Sequence, residues 1–232
     1  MTRPRILIIE DERDMTDVLK YNLEKEGYEV MISHDGQEGL RKAQMQIPDL
    51  IILDWMLPTL RGDEICRELR AGEKTRTVPI LILTAKSEET DQIVGFSMGA
   101  DDYVTKPFLV KVLMQRIKAL LRRSETTSDN DLIEHLGVRI DRVRHRATIN
   151  EEELELTPTE FRLLECMLRQ PGRAFTRPQL MDVAIGEGAI VLERTIDVHI
   201  KTLRRKLGTT IDYIETVRGV GYRFRETMPE TA

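Results

Sequence analysis

Arg5-Ile-Leu-Ile-Ile-Glu-Asp-Glu12 is the stretch from which the fold can be read. Four consecutive apolar residues, Ile6–Ile9, run straight into three acids. Side chains along a strand alternate between faces, so an unbroken apolar run needs cover on both sides. Ile51–Leu53 and Ile80–Leu83 repeat the pattern. Strands of this kind sit in the middle of parallel sheets whose faces are packed with helices.

Working outward, strands are expected at Arg5–Ile9, Tyr28–Ile32, Asp49–Leu53, Pro79–Leu83 and Asp101–Val104. Helix-period stretches separate and follow them: Met15, Val18, Leu19 and Leu23 share one face, as do Val110, Leu113, Met114, Ile117 and Leu121. Five strands alternating with five helices make an α/β domain, a five-stranded parallel doubly wound sheet of flavodoxin-like type, over residues 1–123. Residues 124–131, Ser-Glu-Thr-Thr-Ser-Asp-Asn-Asp, lack apolar periodicity and read as a linker.

Residues 132–228 change rhythm to an α+β pattern. Strand-like segments at Leu136–Ile140, Arg146–Ile149 and Glu153–Leu156 precede Thr157-Pro158-Thr159-Glu160, a capping-box helix start with proline at the first position. Thr176 to Gln179 repeats that spacing for a second helix. A third runs from about Arg194 to Leu207 and stops at Gly208. Tyr213–Val217 and Tyr222–Arg225 close the chain as a hairpin. Three helices and a terminal hairpin describe a winged helix-turn-helix.

The composition, 41% hydrophobic and 32% charged, is that of a globular protein. The apolar runs are far shorter than the roughly 20 residues of a membrane span, and Ile6–Ile9 is no signal-peptide core, so no membrane association is expected. Cys66 and Cys166 lie far apart, form no metal pattern and fit a reducing cytoplasm. A net charge of -5 argues against a generic nucleic-acid binder. Between Arg194 and Arg225, however, eight basic residues face three acids, a local +5. Such a patch on an acidic chain suits local anion binding.

Parallel open sheets bind ligands at the carboxyl ends of their strands. Glu10, Asp11 and Glu12 follow the first strand, Asp54 the third, Thr84 the fourth and Lys106 the fifth. Clustered carboxylates repel, so a cation should join them. Oxygen-only ligands at a shallow rim favour Mg²⁺. A carboxylate nucleophile beside Mg²⁺, lysine and a hydroxyl suits phosphoryl transfer. Asp54, alone at the end of a central strand, is the best nucleophile, and Glu10 and Asp11 are better metal ligands.

In the second half, Ile196, Ile200, Leu203 and Leu207 form one stripe of the third helix. Arg194, Val198, Lys201, Thr202 and Arg205 lie roughly opposite. The helix fits a major groove, and the basic hairpin Arg218–Arg225 can reach the minor groove or its phosphates.

The chain resembles, end to end, bacterial two-component response regulators of the OmpR/PhoB class. The motifs that carry this are Ile-Ile-Glu10-Asp11-Glu12, Leu53-Asp54-Trp-Met-Leu-Pro58, Leu83-Thr84-Ala85 and Gly99-Ala-Asp-Asp-Tyr-Val-Thr-Lys106-Pro-Phe108. Leu156-Thr-Pro-Thr-Glu-Phe161, Arg194-Thr-Ile-Asp-Val-His-Ile200 and Thr216-Val-Arg-Gly-Val-Gly-Tyr-Arg-Phe224 extend it through the second half. The resemblance implies that Asp54 takes a phosphoryl group from the histidine of a sensor kinase. It implies Mg²⁺ held by Glu10, Asp11, Asp54 and the Met56 carbonyl, a switch pair of Thr84 and Tyr103, and a phosphoryl contact from Lys106. DNA contacts are implied at Arg194, His199, Lys201, Thr202, Arg204, Thr216, Arg218 and Gly219. Phosphorylation is expected to promote a homodimer through Asp101, Asp102, Arg116, Lys118 and Arg123, and thereby binding to promoter DNA.

Four positions, in three departures, differ from the family. Gln92 and Val112 stand where an ion pair is usual, Thr202 replaces a common Arg or Lys, and Ile185 replaces a Trp in a loop through which some relatives reach RNA polymerase. Two rival readings exist. An aspartyl-phosphate phosphatase often carries a second acid two residues after its nucleophile, where this chain has Met56. A phosphorylation-independent DNA-binding module would not need the full acid, threonine and lysine set.

Overall fold

The structure is a computed structural model that describes residues 3–85, 98–121, 131–184, 194–208 and 211–228. The chain divides into two compact units, Met1–Arg123 and Ser124–Ala232.

The first unit runs β1 (Arg5–Ile9), α1 (Arg13–Lys25), β2 (Glu29–Ser33), α2 (Gly36–Gln46), β3 (Leu50–Asp54), α3 (Gly62–Ala71), β4 (Ile80–Thr84), β5 (Asp102–Thr105) and α4 (Val110–Leu121). The fourth of the five expected helices falls on residues 86–97, outside the described residues. All neighbouring strands pair in parallel, in the order β2-β1-β3-β4-β5. Successive connections diverge from β1 and β3, so a crevice opens between their carboxyl ends. Every residue of β3 and β4 is buried, as their unbroken apolar sequence requires. Ile6, Ile8, Leu50, Ile52, Leu81 and Leu83 present one face to Leu19 and Leu23 of α1 and to Leu113, Ile117 and Leu120 of α4. Val18, read from its spacing as part of the α1 core stripe, is instead 48% exposed, because the stripe is narrower than the pattern suggested. Four strands begin and end one residue later than their pattern suggested, which makes Asp54 and Thr84 the last residues of their strands.

The second unit has its own core, built on Val138, Ile140, Phe161, Leu164, Ile196, Ile200, Leu203 and Phe224. It begins with a four-stranded antiparallel sheet, β6 (Leu132–His135), β7 (Val138–Asp141), β8 (Arg146–Ile149) and β9 (Glu152–Leu154). α5 (Pro158–Leu168), β10 (Phe175–Thr176), α6 (Arg177–Ala184), α7 (Arg194–Leu207) and the hairpin β11 (Ile214–Val217) and β12 (Gly221–Phe224) follow. The capping box at α5 forms in full: the Glu160 N–H donates to Thr157 Oγ1 at 3.3 Å, and the Thr157 N–H to Glu160 Oε2 at 2.9 Å. Thr176 and Gln179 repeat it at α6, at 3.3 and 2.9 Å. α7 ends where Gly208 turns left-handed at φ 93°, a conformation glycine adopts without steric cost.

Two strands had no separate signal in the sequence. β6 is an edge strand with a half-buried alternation that merges with the polar stretch before it. β10 is two residues long and exists because Phe175 pairs with Tyr222 and Thr176 with Gly221. A Cβ at position 221 would meet the Phe175 carbonyl, so this close approach depends on glycine.

Candidate functional site: an acidic strand-end pocket and a recognition helix with its wing

The ends of β1, β3 and β5 converge on one point. Lys106 Nζ lies 2.6 Å from Glu10 Oε2 and 2.7 Å from Asp54 Oδ2. The Met56 N–H donates to Asp54 Oδ1 at 2.7 Å, and the Glu12 N–H to Glu10 Oε1 at 3.4 Å. Glu10 and Asp54 are buried, whereas Asp11 is exposed at the mouth. Carboxylate oxygens of Glu10, Asp11 and Asp54 lie within 4.8 Å of one another. Three hard oxygen donors, one of them open to solvent, fit a Mg²⁺ ion that keeps several waters.

The electrostatics reflect crowded negative charge. Burial pushes the Glu10 carboxyl up to about 7; the Lys106 ammonium pulls it down and the neighbouring Asp54 raises it again. For Lys106, burial disfavours the charged form, but Asp54 and Glu10 outweigh it and hold the ammonium above its ordinary value. Thr84 is wholly buried at the end of β4. Tyr103 is 4% exposed and pairs in register with Ile82, so it lies on the same sheet face as Thr84, two residues further on. His34, not singled out from the sequence, bonds the Glu10 carbonyl through Nδ1 at 3.0 Å.

Of the residues expected at a dimer face, Asp101, Asp102 and Arg116 are buried. Asp101 is wholly buried rather than on a surface. Its Oδ2 accepts from Arg70 Nη2 at 2.7 Å and from the Ile80 N–H at 2.9 Å. Arg70 also donates to the carbonyls of Gly99, Arg76 and Val78, tying α3 to the starts of β4 and β5. A carboxylate at full burial requires such a partner, and nothing in the local sequence around Asp101 reveals one 31 residues away. Asp102 and Arg116 are also buried and pair with each other, Nη1 lying 2.8 Å from Oδ1. Burial pushes the Asp102 carboxyl up even against this guanidinium. Lys118 is exposed and pairs with Glu26 at 2.7 Å. Arg123, Gln92 and Ile185 lie outside the described residues.

In the second unit, α7 buries Ile196, Ile200, Leu203 and Leu207 and exposes Lys201 and Arg205. Val198 and Thr202 are half-buried, and Thr216, Arg218 and Gly219 are exposed on the hairpin. The backbone of Arg194 opens the helix. His199 departs from expectation: it is 2% exposed and belongs to the interior of the unit. It follows Val198 in a helix whose buried arc is wider than the four-residue stripe. Arg204 is turned onto the hairpin, with Nε 2.8 Å from the Ile214 carbonyl. Lys206, from the last turn, reaches Glu160 of α5 at 2.6 Å. Asp197 binds both Arg177 and the Tyr222 hydroxyl at 2.7 Å. Burial, followed by that carboxylate, raises the Tyr222 hydroxyl above its ordinary range, so it remains a donor at neutral pH.

Comparison with known proteins finds a family model in each unit. Residues 6–118 match the family model described as response regulator receiver domain, and residues 151–224 match transcriptional regulatory protein, C terminal. The chain belongs to the OmpR/PhoB class of response regulators. It is 46% identical over 221 residues to the phosphate regulon transcriptional regulatory protein PhoB of Rhizobium meliloti, covering 94% of this chain and 97% of that one. The alkaline phosphatase synthesis regulator PhoP of Bacillus subtilis is 42% identical over 234 residues, at 96% and 97% coverage. Among solved structures, a RitR mutant superposes with a TM-score of 0.76 at 30% identity, covering 97% of this chain and 100% of that one. The Thermotoga maritima OmpR/PhoB homologue DrrB gives 0.53 at 27%, with the same coverage. This response regulator therefore carries a receiver domain and a DNA-binding transcription-regulator domain, and no helix among its described residues is long and apolar enough to cross a membrane.

Proposed function

We propose that Asp54 is the phosphoacceptor of a cytoplasmic two-component regulator and that its phosphorylation by a sensor histidine kinase promotes dimerisation and binding to promoter DNA. The observation that carries this reading is the placement of Lys106 Nζ within 2.7 Å of both Asp54 and Glu10 at the ends of three strands. A carboxylate oxygen of Asp54 attacks the phosphorus, the P–N bond to the kinase histidine breaks, and its electron pair returns to the imidazole nitrogen. Lys106 then stays with the transferred oxygens. Glu10, Asp11, Asp54 and the Met56 carbonyl would hold Mg²⁺, which when bound supplies neutralisation of phosphoryl charge. Thr84 would bond a phosphoryl oxygen, and Tyr103, already inward, would fill the space beside it. The receiver catalyses no separate substrate turnover in this reading; the relatives above are named as transcriptional regulators.

A receiver dimer would use the edge carrying β5 and α4. Lys118 and Arg123 would lie on it, and the Asp102–Arg116 pair, buried within one copy, would have to open and exchange between copies. Asp101 would stay with its own copy, because its carboxylate is committed to Arg70 and to the Ile80 N–H. On DNA, α7 would enter the major groove with Arg194, Val198, Lys201, Thr202 and Arg205, while Thr216, Arg218 and Gly219 reach the adjacent backbone. RNA polymerase would be a further partner through the loop that contains Ile185. Stoichiometric labelling with acetyl phosphate and Mg²⁺, read with sedimentation, tests the scheme. A protein that takes no label under those conditions but still selects a DNA sequence would be the phosphorylation-independent module instead.

A further inference from the structure

The side chains that join α7 to the hairpin form a continuous set. Arg204 donates through Nε and Nη2 to the Ile214 carbonyl of β11, at 2.8 and 2.5 Å, and through Nη2 to Thr216 Oγ1 at 2.9 Å. Its guanidinium lies 3.6 Å from Asp212 and 5.5 Å from the centre of the Tyr222 ring of β12. Two turns earlier on the same helix, Asp197 accepts from the Tyr222 hydroxyl and from Arg177 of α6, both at 2.7 Å. Arg177 stands 5.2 Å from the centre of that same ring. Positions seven apart on a helix share a face and lie about 10 Å apart along the axis. The hairpin is thus pinned to α7 at two points, one on each of its strands. Lys201 and Arg205, by contrast, are exposed and make no ion pair among the described residues.

We propose that Arg204 and Asp197 form a strut that fixes the wing against the recognition helix, and that Arg204 acts on DNA as a positioning residue rather than as a phosphate ligand. The proposal rests on the DNA-binding reading above and changes one assignment within it. The fork that would grip a phosphate is committed to a backbone carbonyl and a hydroxyl. A helix in one groove and a wing in the next bind together only if their spacing is set before contact, and holding it removes an ordering cost from binding.

The strut and a phosphate contact separate by salt dependence. Removing one phosphate ligand lowers the slope of log K against log salt by about 1. The full-length phosphorylated chain is titrated with a duplex enriched by the parent from random oligonucleotides. Lys201→Ala lowers the slope by about 1, whereas Arg204→Ala weakens binding about tenfold with the slope unchanged. Hydroxyl-radical protection under the wing fades in Arg204→Ala, while methylation protection in the major groove persists. Tyr222→Phe keeps the ring, removes the hydroxyl's bonds to Asp197 and to Arg177 Nη2, and weakens the wing footprint at constant slope. A slope reduced by about 1 in Arg204→Ala with the wing footprint intact overturns the proposal. So does an unaltered footprint in both Tyr222→Phe and Asp197→Asn. If the parent enriches no sequence, the DNA-binding reading itself falls. The strut is then read from amide exchange in β11 and β12, which quickens in Arg204→Ala if it exists and stays at the parental rate if it does not.

Discussion

The acidic pocket and the recognition helix were both legible as motifs, yet the structure treats them differently. In the pocket, Lys106 lies within 2.7 Å of both Glu10 and Asp54. On α7, His199 is buried and Arg204 is engaged with β11, so two of the residues assigned to DNA by motif are used inside the unit. The difference comes from geometry. A parallel sheet delivers every strand end to one rim, so the residues just beyond each strand must gather there. A helix offers a full circle of side chains, and neighbouring elements decide which part of it stays free.

The strongest test of this contrast is Asp54→Asn. It should abolish labelling by acetyl phosphate completely while far-UV dichroism stays unchanged, and a chelator should have the same effect on the unaltered protein. Labelling at full stoichiometry in the variant would show that the strand-end convergence had misled us about the acceptor.

Arg70 comes next. Removing one partner of a buried pair leaves an uncompensated charge, which typically costs about 3–5 kcal/mol. Arg70→Ala should therefore lower the denaturation midpoint sharply, because Asp101 has no exposure to water. Arg116→Glu should also destabilise the receiver, since it sets a second carboxylate against buried Asp102. Sedimentation of that variant would then report on folding as much as on dimerisation. Lys118→Ala breaks only an exposed pair with Glu26 and should leave the midpoint where it was. If Arg70→Ala is as mild as Lys118→Ala, the Arg70–Asp101 pair does not hold α3 to the sheet.

A smaller effect should come from Thr202, half-buried on α7. Threonine lacks the fork that reads guanine. Thr202→Arg should shift base preference toward guanine at one half-site position, by about 1–3 kcal/mol if the new contact is bidentate. Parallel selections with both proteins check this. The same preference at every position would mean that residue 202 does not face the groove floor and that the free arc of α7 lies elsewhere.

Much of the architecture was available in the chain itself. Unbroken apolar runs specified central strands, capping boxes specified the starts of α5 and α6, and acids, threonine and lysine after four strands specified the pocket. These signals are local: backbone periodicity, turn chemistry and covalent adjacency carry them. What only the tertiary structure decided depends on long-range partners. The two-residue strand β10 exists through Tyr222, Asp101 is interior because Arg70 arrives from α3, and Arg204 faces the wing because the Ile214 carbonyl is within reach. A charged side chain has the same sequence signature whether it meets solvent, DNA or a buried counter-charge. The free energies of those outcomes differ by the desolvation of the group and the partner supplied to it, and packing alone brings that partner.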